Sequence, residues 1–149
     1  MALVRSSRRI EASPDEVWQL VTDWAAHSRW IPFTEVTVDP AGPPSGLGVR
    51  FVGRSALGPV GFDDPMTVTD WQPPTDDRAG ACHIEHQGPW VRGWAEIRVM
   101  PDGSATELSW IEEVRPRWTP KFADPVVARI GRVLFDGTLR KLAAEVEKR

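Results

Sequence analysis

The sequence predicts an antiparallel α+β fold: a curved sheet of about seven strands laid against one long C-terminal helix, with two short helices after the first strand. Three observations carry this. A helix-start signal, Ser13-Pro14-Asp15-Glu16, follows a short apolar opening segment. From residue 33 to 115 the hydrophobic period is two and turn residues recur. After Pro116 and Pro120 the period returns to 3.6 and holds to the end of the chain.

Taken in order, residues 3–11 are short, partly apolar and followed by a stop signal, which suits a first strand. Ser13 is placed to cap a helix, Pro14 fits its first position, and Glu16 completes a capping box. Val17, Trp18, Leu20, Val21 and Trp24 then recur at helical spacing, and a second short helical segment runs to Trp30, ended by Pro32. Strands are expected at 34–38, 48–55, 62–71, 79–86, 90–100 and 105–114. Turns separate them, among them Leu57 to Gly61 and Pro101-Asp102-Gly103. In strand 62–71, Met66 and Val68 point to one inward face and Trp71 to the other. The last helix is expected from Asp124 as cap to about Glu147, with Val127, Ile130, Leu134, Phe135, Leu139, Leu142 and Val146 as its apolar stripe. Gly131, Gly137 and Thr138 lie on or beside that stripe, consistent either with close helix–sheet contact or with space left for a ligand.

Composition narrows the function classes. A chain of 149 residues fits a single domain over 1–149 with a sizeable core. A net charge of −3 provides no global positive field for nucleic acid. The N-terminus develops no apolar signal segment and no apolar run is long enough to span a bilayer, so a cytoplasmic protein without stable membrane insertion is expected, as monomer or homodimer. The single Cys82 excludes an internal disulfide and multi-cysteine metal sites, and the three histidines lack metal-ligand spacing, so neither metal nor other cofactor is expected. The anomaly is 8 Trp with no Tyr.

Strand parity locates candidate cavity residues. On 90–100, Val91, Gly93, Ala95, Ile97 and Val99 share the inward face; on 105–114, Leu108, Trp110 and Val114 share it with the polar Thr106 and Glu112. His86 shares parity with Cys82 and Ile84. Glu112 reads either as a strand-end carboxylate paired with Arg115, Arg117 or a cap, or as a cavity acid; His86 reads either as a satisfied structural histidine or as a ligand or proton-transfer group. With one strand between them, the two are expected to need a bridging ligand or water. The sheet–helix space is the expected ligand site. Ile84, Gly93, Ile97, Leu134 and Thr138 are expected to face it.

The order of elements, with Ile10 to Trp18, Trp30-Ile31-Pro32-Phe33, Gln72-Pro73-Pro74, Gly88-Pro89-Trp90 and Ala105 to Trp110, resembles the START-like SRPBCC superfamily of helix-grip proteins, in its polyketide cyclase/dehydrase-like branch. The resemblance spans nearly the whole chain. It implies a pocket walled by Trp30, Phe33, Trp90 and Trp110, with Glu112 as a polar cavity residue. It also implies a cavity arginine four residues before the Gly-Pro turn, where this chain has Ile84. Carriage of a hydrophobic or aromatic, lipid- or polyketide-like small molecule is the leading expectation. Its alternatives are an aromatase/cyclase or dehydratase using His86 and Glu112, and partner binding through exposed aromatics such as Trp94 or Trp118.

Overall fold

Period-two burial, clearest at 80–86 and 105–112, sets the architecture of the computed structural model, which describes residues 2–149. Seven strands, β1 (Ala2–Ile10), β2 (Thr34–Val38), β3 (Arg50–Leu57), β4 (Val60–Gln72), β5 (Gly80–His86), β6 (Val91–Asp102) and β7 (Ala105–Pro116), pair antiparallel in the order β1-β7-β6-β5-β4-β3-β2. Between β1 and β2 come α1 (Pro14–Val21) and a 3₁₀ helix (Trp24–Arg29); α2 (Asp124–Glu147) closes the chain. Among the described residues, no helix is long and apolar enough to cross a membrane.

The local signals act as expected. The Glu16 N–H donates to Ser13 Oγ (3.2 Å), and that hydroxyl donates to the Glu16 carboxylate (3.1 Å). The second short helix is 3₁₀ rather than α, so residues three apart eclipse and Trp24, His27 and Trp30 stand in a row. The turn expected at 57–61 narrows to Gly58-Pro59, because Gly58 takes φ 61° and lets β3 and β4 extend toward each other. Ala123, not Asp124, stands at the α2 cap, and Asp124 is already helical.

The ambiguous parity of 62–71 has a structural answer. Pairing with β5 shifts register between Val68 and Asp70, an extra residue that re-aims the strand. Val68 is therefore buried on the inner face, and Trp71 also reaches the core, packing edge-on against Trp18 with ring centroids 5.0 Å apart.

The C-terminal half of α2 buries Leu139, Leu142, Ala143 and Val146 against α1 and the sheet. Its N-terminal half does not seal: Ile130 and Leu134 of the expected stripe stay substantially exposed. Along β1 the helix is held close. A Cβ on Gly131 would fall 2.9 Å from Val4 Cγ2, and the Glu11 N–H donates to Glu147 (2.9 Å). Gly131 thus serves close helix–sheet approach and also borders the interior space; Gly137 has only the end of Arg140 near it.

Candidate functional site

The sheet curls around a cavity of about 300 Å³ bounded by the 3₁₀ helix, the inner strand faces and the first half of α2. Its wall is dominated by aromatic and aliphatic side chains, including Trp24, Phe51, Phe62, Met66, Trp110 and Phe135. Trp24 stacks on Phe51 (4.6 Å between centroids) and Trp110 on Phe135 (5.4 Å). His27, Thr34, Ser55, Asp64, His86 and Glu112 supply its polar side chains; among the described residues, no Lys or Arg lines it. An outer vestibule of about 680 Å³ follows, formed by Phe33, Leu57, Val60, Trp90, Trp118 and Leu134 among others.

The charged centre lies at the strands β4, β5 and β7. His86 Nδ1 donates to Asp64 Oδ1 (2.9 Å), and His86 Nε2 stands 3.6 Å from Glu112 Oε1. The side chains of His86 and Glu112 are 4% and 10% exposed, so neither charge is solvated by bulk water. Burial disfavours the imidazolium, but the hydrogen bond to Asp64 and the close carboxylates of Asp64 and Glu112 outweigh it and push His86 up to about 10. His86 is therefore a cation between two carboxylates at neutral pH.

This direct approach corrects the expectation of a bridging ligand. In the intervening strand, His86 pairs with Gly93 and Glu112 with Ala95, so no bulky side chain separates them. Gly93 adopts φ 126°, and a Cβ there would lie 1.8 Å from the Glu113 carbonyl oxygen.

The other expected site residues divide into three groups. Ile84, Trp110 and Leu134 line the cavity with His86 and Glu112. Phe33, in the link from the 3₁₀ helix to β2, and Trp90, in the β5–β6 turn, lie in the vestibule with Leu57 and Val60 of the β3–β4 hairpin and Trp118 before α2. Trp30, Gly93, Ile97 and Thr138 are not on the lining. Trp30 ends the 3₁₀ row behind His27, with its Nε1 donating to Glu145 (3.3 Å). Gly93 has no side chain to present, Ile97 is fully buried at the level of Cys82 and Trp110, and Thr138 turns its hydroxyl onto the Leu134 carbonyl (2.8 Å). Thr106, the other inward polar residue, donates to the Ala12 carbonyl (2.8 Å).

Trp24, His27 and Asp64 were not singled out as cavity residues by the sequence reading. The 3₁₀ spacing of Trp24 and His27 was legible only as generic helix, and Asp64 shares parity with Met66 on the strand whose face was ambiguous. Of the aromatics considered for partner contact, Trp94 is occupied on the outer face, stacked on His83 and donating to Glu113 (2.7 Å). Trp118 belongs to the vestibule, edge-on to Phe62.

Solved structures share this fold. A START superfamily protein from Mycobacterium smegmatis superposes with a TM-score of 0.75 at 15% identity, covering 99% of each chain. The protein TTHA0849 from Thermus thermophilus gives 0.75 at 16% identity, over 97% of this chain and 96% of that one. The Zhui aromatase/cyclase from Streptomyces sp. R1128 gives 0.67 at 17% identity, over 99% and 94%. No curated protein matches the sequence. Residues 1–147 match the family described as polyketide cyclase/dehydrase and lipid transport, and with the helix-grip architecture around this cavity the chain belongs to that family, within the START-like SRPBCC superfamily.

Proposed function

We propose that this protein binds or carries a hydrophobic or aromatic small molecule in the cavity between sheet and α2. One observation carries the reading: a cavity of about 300 Å³ lies between the sheet and α2, walled mainly by Trp24, Phe51, Phe62, Met66, Trp110 and Phe135. A ligand that offers planar apolar area to the Trp and Phe faces fills that space and buries its own apolar surface. Native mass spectrometry of the purified protein, followed by calorimetric titration with naphthalene-sized aromatics, tests it. A retained or titrated ligand at one per chain is expected; no uptake of any apolar compound would refute it.

The Asp64–His86–Glu112 array favours a second reading, a cyclase or dehydratase in which His86 and Glu112 move protons on a folded polyketide-like chain. His86, charged and anchored by Asp64, is positioned as an acid; Glu112, on the cavity wall 3.6 Å from His86, is positioned as a base. Ile84 occupies the wall near His86, and with no Lys or Arg among the described lining residues His86 is the cation available to an enolate. Turnover that survives both Glu112→Gln and His86→Ala would refute these roles.

A further inference from the structure

We propose that the arginine groove on the outer face of β6 and β7 recognises the phosphate group of an amphiphilic ligand whose apolar chain lies in the vestibule. It rests on the reading that the cavity takes a hydrophobic molecule, and it specifies the class: a phosphate ester with an apolar tail, in preference to the corresponding alcohol.

The register of β6 and β7 builds the groove. Arg92 stands directly opposite Arg115, and side chains so paired across antiparallel strands have Cβ atoms about 4.5–5.5 Å apart. Arg117 follows two residues after Arg115, so it projects from the same face about 7 Å further along. Its backbone N–H donates to the Trp90 carbonyl (2.7 Å), which carries the ladder past the end of β7, and the Thr119 hydroxyl donates to the Pro116 carbonyl (3.0 Å). Arg92, Arg115 and Arg117 thus line one open groove of about 500 Å³, and all three are exposed, so their guanidinium groups are within reach of a solute.

The groove is short of negative charge. Its wall contains no Asp or Glu, and among the described residues none of the three arginines has a carboxylate within ion-pair distance. The nearest outward carboxylate along β7, Glu113, accepts from Trp94 Nε1 (2.7 Å) instead. Like charges directly opposite across a strand pair are destabilising. In a chain of net charge −3, three such cations in one groove are an accumulation that a bound anion neutralises. Guanidinium forks match phosphate oxygens in pairs, and a phosphate monoester presents three such oxygens where a carboxylate presents two.

Trp90 joins this groove to the ligand path. The Arg117 guanidinium lies over the Trp90 ring, 5.8 Å from its centroid, and the same ring lines the vestibule with Trp118, their centroids 6.0 Å apart. Pro116 borders both the groove and the inner cavity. A flexible chain lying in the vestibule therefore comes beside the arginines once it passes the edge of one indole.

The experiment is calorimetric titration of the full chain with octyl phosphate, 1-octanol and inorganic phosphate, in wild type and in Arg92→Gln, Arg115→Gln and Arg98→Gln. Arg98 lies further along β6 and pairs with Glu96 (2.9 Å), so its variant removes the same charge away from the groove. Octyl phosphate should bind wild type roughly tenfold tighter than octanol, the size of one charge-assisted hydrogen bond at an exposed site. That preference should shrink severalfold in Arg92→Gln and in Arg115→Gln, persist in Arg98→Gln, and fade toward about 1 M salt, where the screening length is about 3 Å. Each groove variant relieves a like-charge pair, so its melting temperature should hold or rise, which separates lost binding from lost fold. Equal binding of octyl phosphate and octanol by wild type overturns the groove and leaves the cavity reading intact. So does a preference that survives in both groove variants or disappears in Arg98→Gln. Inorganic phosphate that binds as tightly as octyl phosphate overturns the amphiphile and assigns the groove to a free phosphate. Failure of both octyl compounds overturns the inference, and if the naphthalene-sized aromatics fail as well, the cavity reading falls with it.

Discussion

His86 Nε2 lies 3.6 Å from Glu112 Oε1 although a whole strand runs between their backbones. Strands about 4.8 Å apart would hold the two backbones near twice that distance. The side chains meet because β6 offers only Gly93 and Ala95 beneath them. The proton chemistry available to this cavity is therefore set by a strand that contributes no functional group to it.

Gly93→Ala should test that dependence. At φ 126° the added Cβ would overlap the Glu113 carbonyl oxygen at 1.8 Å, and the β6–β7 ladder must shift. A loss of about 3 kcal/mol is expected, lowering the melting temperature by roughly 6–12 °C. Thermal unfolding by circular dichroism measures it; a variant as stable as wild type would show that the strand tolerates a side chain there.

The two buried histidines should make stability peak near pH 6.5. His86 has a raised pKa, so its contribution is complete below 6.5 and is lost as pH rises toward about 10. His27 has a lowered pKa, so the folded state resists the proton that the unfolded chain binds, and stability falls as pH drops from 6.5 toward about 4. The His27 limb amounts to about 3 kcal/mol. Urea denaturation from pH 4 to 10 should give a two-sided curve, with the alkaline limb flattened in His86→Gln. A missing acid limb would contradict the assignment of His27, and a missing alkaline limb that of His86.

Asp64 and Glu112 should together hold the His86 proton. Nuclear magnetic resonance titration of the imidazole is expected to show no deprotonation below pH 8 in wild type. In Asp64→Asn with Glu112→Gln, burial acts without its two opponents, and the midpoint should fall below the ordinary value of 6.5. An unchanged midpoint in the double variant would mean that other groups stabilise the imidazolium.

Phe33 offers a separation of stability from binding. It is the non-glycine residue with positive φ (58°) among the described residues, and it is 72% exposed in the vestibule. Phe33→Gly should relieve about 1 kcal/mol of backbone strain while removing an aromatic face from the path to the cavity. The melting temperature should hold or rise, and stopped-flow association of 2-naphthol should change. A fall in melting temperature would indicate that the ring contributes more packing than its exposure implies.

The sequence by itself determined the element order, the antiparallel character of the sheet and the inward parity of Trp110, Glu112, Ile84 and His86. These follow from local rules: a capping box, period-two alternation and a long 3.6-period stripe each act over a few residues. It also placed Thr106 and Glu112 together as inward polar exceptions, but not their different fates. Thr106 satisfies the Ala12 carbonyl, whereas Glu112 faces the cavity beside His86.

Tertiary structure decided what depends on an added residue, a tighter helical turn or a missing side chain. The register shift after Val68 places both Val68 and Trp71 inward, and the same strand brings Asp64 to His86. The 3₁₀ spacing aligns Trp24, His27 and Trp30, so Trp30 is buried behind the wall and the two residues before it in the row line the cavity. The space above Gly93 and Ala95 joins His86 to Glu112. The tryptophan excess was visible in composition, but which of these rings meet a ligand depends on packing between segments far apart in the chain, and no local period encodes that.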